Sequence, residues 1–181
     1  MVTQTEVFFV VLDTCVLAPM PLCDTLLRLA EDPASYVPRW SPDILDELRR
    51  VLRTMEYSDA QAERRIAAMQ TAFEDACVVG YAELVASMTN DAKDRHVLAA
   101  AVHTGAHAIL TENVKHFPAA SVEPYDIDVL TPDQFLARQL QFNRELLEEK
   151  LCSQANARGI PYDVLVRRLA KWAPSLPGLL L

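Results

Sequence analysis

The chain has 181 residues, 51% of them hydrophobic, with 17 basic and 25 acidic side chains and a formal charge of −8 at pH 7. This length buries a full core without disulfides or metals, and the composition excludes a disordered or fibrous protein. The acidic balance argues against a general nucleic-acid coat, though not against an enzyme that grips phosphates through metal ions. No apolar run approaches the roughly 18 residues of a membrane span. No basic segment precedes the first apolar run, which ends in Asp13, so a secretory signal is not expected. The cysteines, Cys15, Cys23, Cys77 and Cys152, form no CxxC pair and read as reduced thiols, with Cys15 and Cys77 packed. A cytoplasmic protein with no membrane segment is predicted.

In chain order, the apolar run Val7 to Leu12 leads directly into Asp13. A short β-branched and aromatic run suits a strand buried on both faces of a parallel sheet. Ligands of open α/β sheets bind outside the carboxyl ends of the strands, where Asp13 would stand. The plainer reading is an acid that caps a loop. Leu22, Leu26, Leu29 and Ala30 recur at helical spacing and predict a helix over 22–31, broken by Glu31-Asp32-Pro33. A short strand is expected over 36–39. Ser41-Pro42-Asp43 is a sharp helix start, with Ser at the cap, Pro at the first position and an acid in the first turn. The helix places Ile44, Leu48, Val51, Leu52 and Met55 on one face and Asp46, Arg49, Arg50 and Arg53 on the other. Glu47 falls at the margin, about 100° from Leu48, so its carboxylate points into a cleft or snorkels out of one.

Another amphipathic helix is expected over 59–73, followed by a candidate strand, Cys77-Val78-Val79, closed by Gly80. Asp91 is predicted to cap a helix that runs to Thr104 and stops at Gly105. Asp94 lies nearly on the face of Leu98 and either turns toward the sheet or completes a capping box with Asp91. His107 to Leu110 is the next buried strand, with Thr111-Glu112-Asn113 at its carboxyl end, and Ile127 to Leu130 the last. After Thr131-Pro132-Asp133 the chain reads as helical to about Ala155, breaks at 157–161, and ends in a helix over 162–172. This order predicts an α/β fold, an α/β/α sandwich with a mostly parallel central sheet. The division expected is a domain over 1–130 and a helical C-terminal extension over 131–181.

Asp13, Glu47 and Asp94 thus occupy positions that can meet. Clustered carboxylates raise one another's pKa unless a cation lies between them, and hard divalent ions prefer such oxygen ligands. With a phosphodiester substrate, such ions activate water and stabilise the leaving oxygen. A zinc pair from His103 and His107 is not expected, because the helix should end at Gly105 between them. The glycines are too scattered for a phosphate loop, and no GxSxG elbow occurs.

The segments VVLDTCVL (Val10 to Leu17), SPDILDELRRVL (Ser41 to Leu52), NDAKDRHVLAAAVHTGAHAILTEN (Asn90 to Asn113) and VKHFP (Val114 to Pro118) resemble the PIN-domain nucleases in order and spacing. The resemblance covers about residues 7 to 130. It implies a Mg²⁺-dependent (or Mn²⁺-dependent) endoribonuclease that hydrolyses RNA phosphodiester bonds, and the VapC-type toxin of a type II toxin–antitoxin pair. It further implies a cognate antitoxin and a homodimer as partners. Its metal-binding acids carry over onto Asp13, Glu47 and Asp94, and Thr14 matches the hydroxyl residue after the first acid. The fourth position departs from the family: Asn113 stands where Asp is common, and His116 stands where many members have an acid. Asn113 can ligate through its amide oxygen but brings no charge. Glu112 is the alternative, although strand alternation would aim it the other way. Thr14, Arg49, Arg50 and His116 are the candidate substrate contacts, and Arg49, Arg50 and Arg53 form a basic stripe beside Glu47 for which contact with substrate phosphate is the favoured reading. For Arg167, Arg168 and Lys171 in the extension, a solvated face is the favoured reading. Two rivals remain: a phosphatase with Asp13 as nucleophile, which lacks a second acid because Cys15 occupies the place, and a catalytically degenerate RNA- or protein-binding module, which the changes at Asn113 and His116 motivate.

Overall fold

The computed structural model describes residues 7–181. In chain order the elements are β1 (Phe9–Leu12), α1 (Thr14–Leu17), α2 (Met20–Ala30), β2 (Val37–Arg39), α3 (Pro42–Thr54), α4 (Asp59–Ala72), α5 (Ala82–Val85), α6 (Arg95–Thr104), β3 (Ala108–Leu110), α7 (Ala119–Val122), β4 (Asp128–Leu130), α8 (Pro132–Phe142), α9 (Arg144–Ala157), α10 (Tyr162–Leu169) and α11 (Leu176–Leu180). The strands form one parallel sheet in the order β2-β1-β3-β4. Val10, Val11 and Leu12 of β1 and Ala108, Ile109 and Leu110 of β3 are fully buried, as central strands covered on both faces must be.

The strand order places the functional crevice. From β1 the chain moves outward to β2, then crosses back past β1 to reach β3. Right-handed crossovers in opposite directions put their helices on opposite faces of the sheet. Accordingly α2 packs on β2, and α6 packs on β1 and β3. The reversal falls between the carboxyl ends of β1 and β3, which is where an open α/β sheet leaves a crevice. The architecture is the α/β/α sandwich expected from the sequence.

Local chemistry explains the element boundaries. The Ser41 hydroxyl accepts from Ile44 N–H at 3.2 Å, with Pro42 first in α3. Gly105, at φ 62°, ends α6 in the left-handed conformation that an L side chain resists. Three expectations need correction. Cys77-Val78-Val79 makes no strand: the segment pairs only through a bridge between Trp40 and Cys77, and Gly80, at φ 85°, turns the chain away. The α6 helix begins at Arg95, not after Asp91. Asp91 instead closes a turn, accepting from Lys93 N–H at 3.0 Å, and Asp94 is the cap residue without using its side chain as a cap. No capping box forms there, so the Asp94 carboxylate is free for other contacts. The long helix expected to reach Ala155 is two helices. Asn143, at φ −152°, interrupts it and caps α9 by accepting from Leu146 N–H at 3.1 Å.

The α9 helix lies on α2. The Thr25 hydroxyl donates to Gln154 Oε1 at 2.6 Å, and Gln154 Nε2 donates to the Pro21 carbonyl at 2.9 Å. Among the described residues no helix is long and apolar enough to cross a membrane.

Candidate active site

Asp13 is the first residue beyond β1, and its N–H donates across the sheet to the Leu110 carbonyl at 3.1 Å. It is 2% exposed. Oδ1 accepts from Thr14 N–H at 2.7 Å. Oδ2 accepts from the Thr111 hydroxyl at 2.7 Å and from the Cys15 thiol at 3.3 Å. Thr111 follows β3 as Asp13 follows β1, so the topological reversal itself brings the pair together. The Thr111 oxygen also accepts from Asn113 N–H at 2.9 Å, and Cys15 Sγ accepts from Glu112 N–H at 3.2 Å. The carboxylate is thereby held by two segments that are far apart in sequence. Thr14 donates its hydroxyl to the Ile44 carbonyl at 3.2 Å, locking α1 against α3.

Thr111 and Cys15 were not singled out from the sequence. The available signal was a hydroxyl residue immediately after a buried strand that neighbours the Asp13 strand.

Burial pushes the Asp13 carboxyl above the usual carboxylate range, and the negative charge of Asp94 pushes the same way; bonds from Thr111, Cys15 and Thr14 oppose them. Burial first, then the Asp13 charge, pushes the Cys15 thiol up to about 12. At neutral pH Cys15 therefore remains a protonated donor to Asp13 and a poor nucleophile. Brief treatment of the native protein with iodoacetamide at pH 8 is expected to alkylate the exposed Cys152 and leave Cys15 unmodified, as read by peptide mass spectrometry. Equal labelling of the two would contradict this environment for Cys15.

Asp94 is 7% exposed, and its Oδ2 lies 2.6 Å from His116 Nδ1. The ligand atoms of Asp91, Asp94 and His116 all fall within 4.8 Å of one another, and Asp91 N–H donates to the His116 carbonyl at 3.0 Å. That group includes neither Asp13 nor Glu47. Asp94 links the two groups, through its charge to Asp13 and through its hydrogen bond to His116. Glu47, on the half-exposed margin of α3, faces His96 of α6: its Oε2 lies 3.7 Å from His96 Nε2, too far for a hydrogen bond.

Asn113 ends β3's following turn half-buried, and its side chain makes no hydrogen bond among the described residues. Arg49 is turned away toward α4, paired with Asp46 and, at 2.7 Å, with Glu63. Arg50 is exposed and has no ion pair among the described residues.

The donor set fits a hard divalent cation. Asp13 and Asp94 are buried acids that repel each other, an arrangement that a cation between them relieves. Carboxylate and amide oxygens are the ligands Mg²⁺ and Mn²⁺ prefer, and an imidazole at the edge is more compatible with Mn²⁺.

The family model described as "PIN domain" matches residues 9–115. A relative from Mycobacterium tuberculosis (strain ATCC 25618 / H37Rv), named "Putative ribonuclease VapC50", is 46% identical over 78 residues. The aligned stretch is 43% of this chain and 46% of that relative, so less than half of either is matched. No solved structure gives a significant match.

Proposed function

The chain belongs to the PIN-domain family, and on that premise we propose that it is a metal-dependent endoribonuclease and the toxin of a type II toxin–antitoxin pair. The observation that carries this reading is Asp13: a buried carboxylate at the crevice of a parallel sheet, held by Thr14, Cys15 and Thr111, with the charge of Asp94 beside it. The name of the M. tuberculosis relative supports ribonuclease as the activity.

In this reading Asp13, Glu47 and Asp94 hold Mg²⁺ or Mn²⁺, with Asn113 as an uncharged fourth member. A bound cation would supply a nucleophile at neutral pH and offset charge on the leaving oxygen. The chain's own residues do the positioning. Thr111 and Cys15 fix the Asp13 carboxylate in one orientation, and Thr14 keeps α1 and α3 in register. The Asn113 amide can accept from, or donate to, a water or phosphate oxygen. Its neutrality leaves the site one negative charge short of a four-acid set, which lowers cation affinity.

RNA is the substrate, and the cytoplasm is where the protein would meet it. A cognate antitoxin that offers an arginine to the carboxylates would restrain the enzyme, and a homodimer is the proposed assembly. A degenerate binding module is the second reading, favoured by the missing acid at Asn113 and His116.

The test is incubation of purified protein with total cellular RNA in Mn²⁺ or Mg²⁺, beside an EDTA control and the Asp94→Asn variant. Discrete fragments that need both metal and Asp94 are expected. Fragments that persist in EDTA would remove metal dependence. No fragments, together with no Mn²⁺-dependent rise in Tm, would favour the degenerate module, because a ligand that binds only the folded state stabilises it by mass action.

A further inference from the structure

We propose that the cavity beside Glu47 seats one nucleotide of single-stranded RNA flanking the scissile phosphate, with Arg50 and Lys93 gripping its phosphate. This rests on the nuclease reading above and adds a subsite to it. The cavity holds about 580 Å³, formed between α3 and the turn that opens α6, and Glu47, Arg50, Thr54, Lys93 and His96 line it. It is an open groove rather than an enclosed cavity, with a volume in the range of single-ligand sites. Glu47 forms part of its wall, so an occupant would lie directly against one of the candidate metal-binding acids.

The charges on α3 are distributed unevenly. Arg49 is neutralised by Asp46 and Glu63, and Arg53 by Asp59 at 2.5 Å. Arg50, between them in sequence, reaches the cavity and has no ion pair among the described residues; neither has Lys93 on the facing turn. The remaining acid at the rim, Asp43, accepts from the Tyr81 hydroxyl at 2.6 Å. In a chain of formal charge −8, two unpaired cations facing one concavity from separate elements suit an anion. Glu47 at the wall would repel a free phosphate, but in the proposed enzyme a cation offsets its charge. No Phe, Tyr or Trp lines the cavity, and the one ring there, the imidazole of His96, could stack on a base without selecting which base. Contacts from cations to a phosphate position a strand without reading its sequence, and this subsite is therefore indifferent to base identity.

The experiment is fluorescence anisotropy of a labelled single-stranded oligoribonucleotide of mixed sequence. The full-length chain keeps all its acids, with Ca²⁺ in place of Mg²⁺ to suppress cleavage, and salt is varied. Arg50→Gln and Lys93→Gln are each expected to weaken binding about fivefold near 0.1 M salt. Each should also lower the slope of log affinity against log salt by about 0.7, the value for one phosphate contact on a single strand. Arg53→Gln, on the same helix but paired with Asp59, should change neither. With Mg²⁺ restored, Arg50→Gln should raise KM with little change in kcat. A parent that binds RNA while both variants bind equally tightly, with the same slope, would overturn the subsite and leave the nuclease reading intact. A parent that binds no RNA at any salt would overturn both.

Discussion

Asp13→Asn is expected to lower RNA cleavage about a thousandfold or more while making the metal-free protein more stable at pH 7. The first effect follows from removing a proposed charged metal ligand: the loss of several kcal/mol of transition-state stabilisation corresponds to about three powers of ten. The second follows from the environment of the carboxylate. Burial raises the folded-state pKa of Asp13 above its unfolded value, and the charge of Asp94 adds to the rise. A raised acid binds its proton more tightly when folded. The stability it contributes is complete below the unfolded carboxylate range and is lost as pH rises through the folded value. Once pH has passed through that folded value, the ionised side chain costs the folded state stability. Asn keeps an oxygen to accept from Thr14 N–H and offers an amide to Thr111 without the buried charge. A gain of roughly 1 kcal/mol would raise Tm by about 2–4 °C at this chain length. The gain should shrink toward pH 4, and it should also shrink when Mn²⁺ stabilises the parent. Differential scanning calorimetry in EDTA at several pH values, paired with the cleavage assay, measures both effects. A variant that loses cleavage and stability together would mean that the carboxylate is structural. A variant that keeps cleavage would remove Asp13 from the site.

Local signals in the sequence were sufficient where a single turn decides the structure. Ser41-Pro42 capped α3, Gly105 stopped α6, and the apolar run before Asp13 became a fully buried central strand. The parallel sheet followed from alternating strands and helices. Signals failed where a distant partner decides. Cys77 to Val79 has strand composition, yet pairing would have required a partner along its whole length, and the chain supplies only Trp40. Arg49 looked equivalent to Arg50 on a helical projection; Glu63, on the next helix, distinguishes them. For Asp94 the sequence offers the sheet or a capping box with Asp91, whereas its partner, His116, arrives from a turn 22 residues later. Thr111 was visible as a residue after β3 without being visible as the donor to Asp13, because that contact depends on β1 and β3 being neighbours. Sequence periodicity specifies the faces of elements; the order of strands in the sheet specifies which strand ends share a crevice.

A chain ending at Leu130 is expected to lose cooperative unfolding altogether. The division at residue 131 is natural in the sequence, where Thr131-Pro132 opens a helical stretch, but the helices beyond it complete the core that α2 begins. Leu22, Leu26, Leu29 and Tyr36 are buried to 2% exposure or less, while α9 and α10 pack on α2. The Phe135 ring meets Tyr36 edge-on at 5.1 Å. Thr25 and Gln154 form a buried hydrogen bond, and Lys150 Nζ donates to the Glu31 carbonyl at 3.0 Å. Uncovering four large side chains forfeits roughly 1.5–3 kcal/mol each, which together reach the whole 5–15 kcal/mol stability of an ordinary domain. The comparison is urea unfolding of the full chain, carrying Trp172→Phe, and of the truncated chain, followed by fluorescence of Trp40, which is fully buried and is then the one tryptophan in both. The full chain should show a sigmoidal transition, and the truncated chain a sloping baseline with Trp40 already solvent-exposed, or no soluble protein. A milder lesion, Gln154→Ala, should lower stability by about 1–3 kcal/mol, because the Thr25 hydroxyl and the Pro21 carbonyl lose a partner at a buried contact. A truncated chain that unfolds cooperatively near the parent's midpoint would establish residues 131–181 as a separate appendage. The expected result makes them part of the same folding unit, so that the platform on which Asp13, Glu47 and Asp94 are arranged exists only when the helical extension is in place.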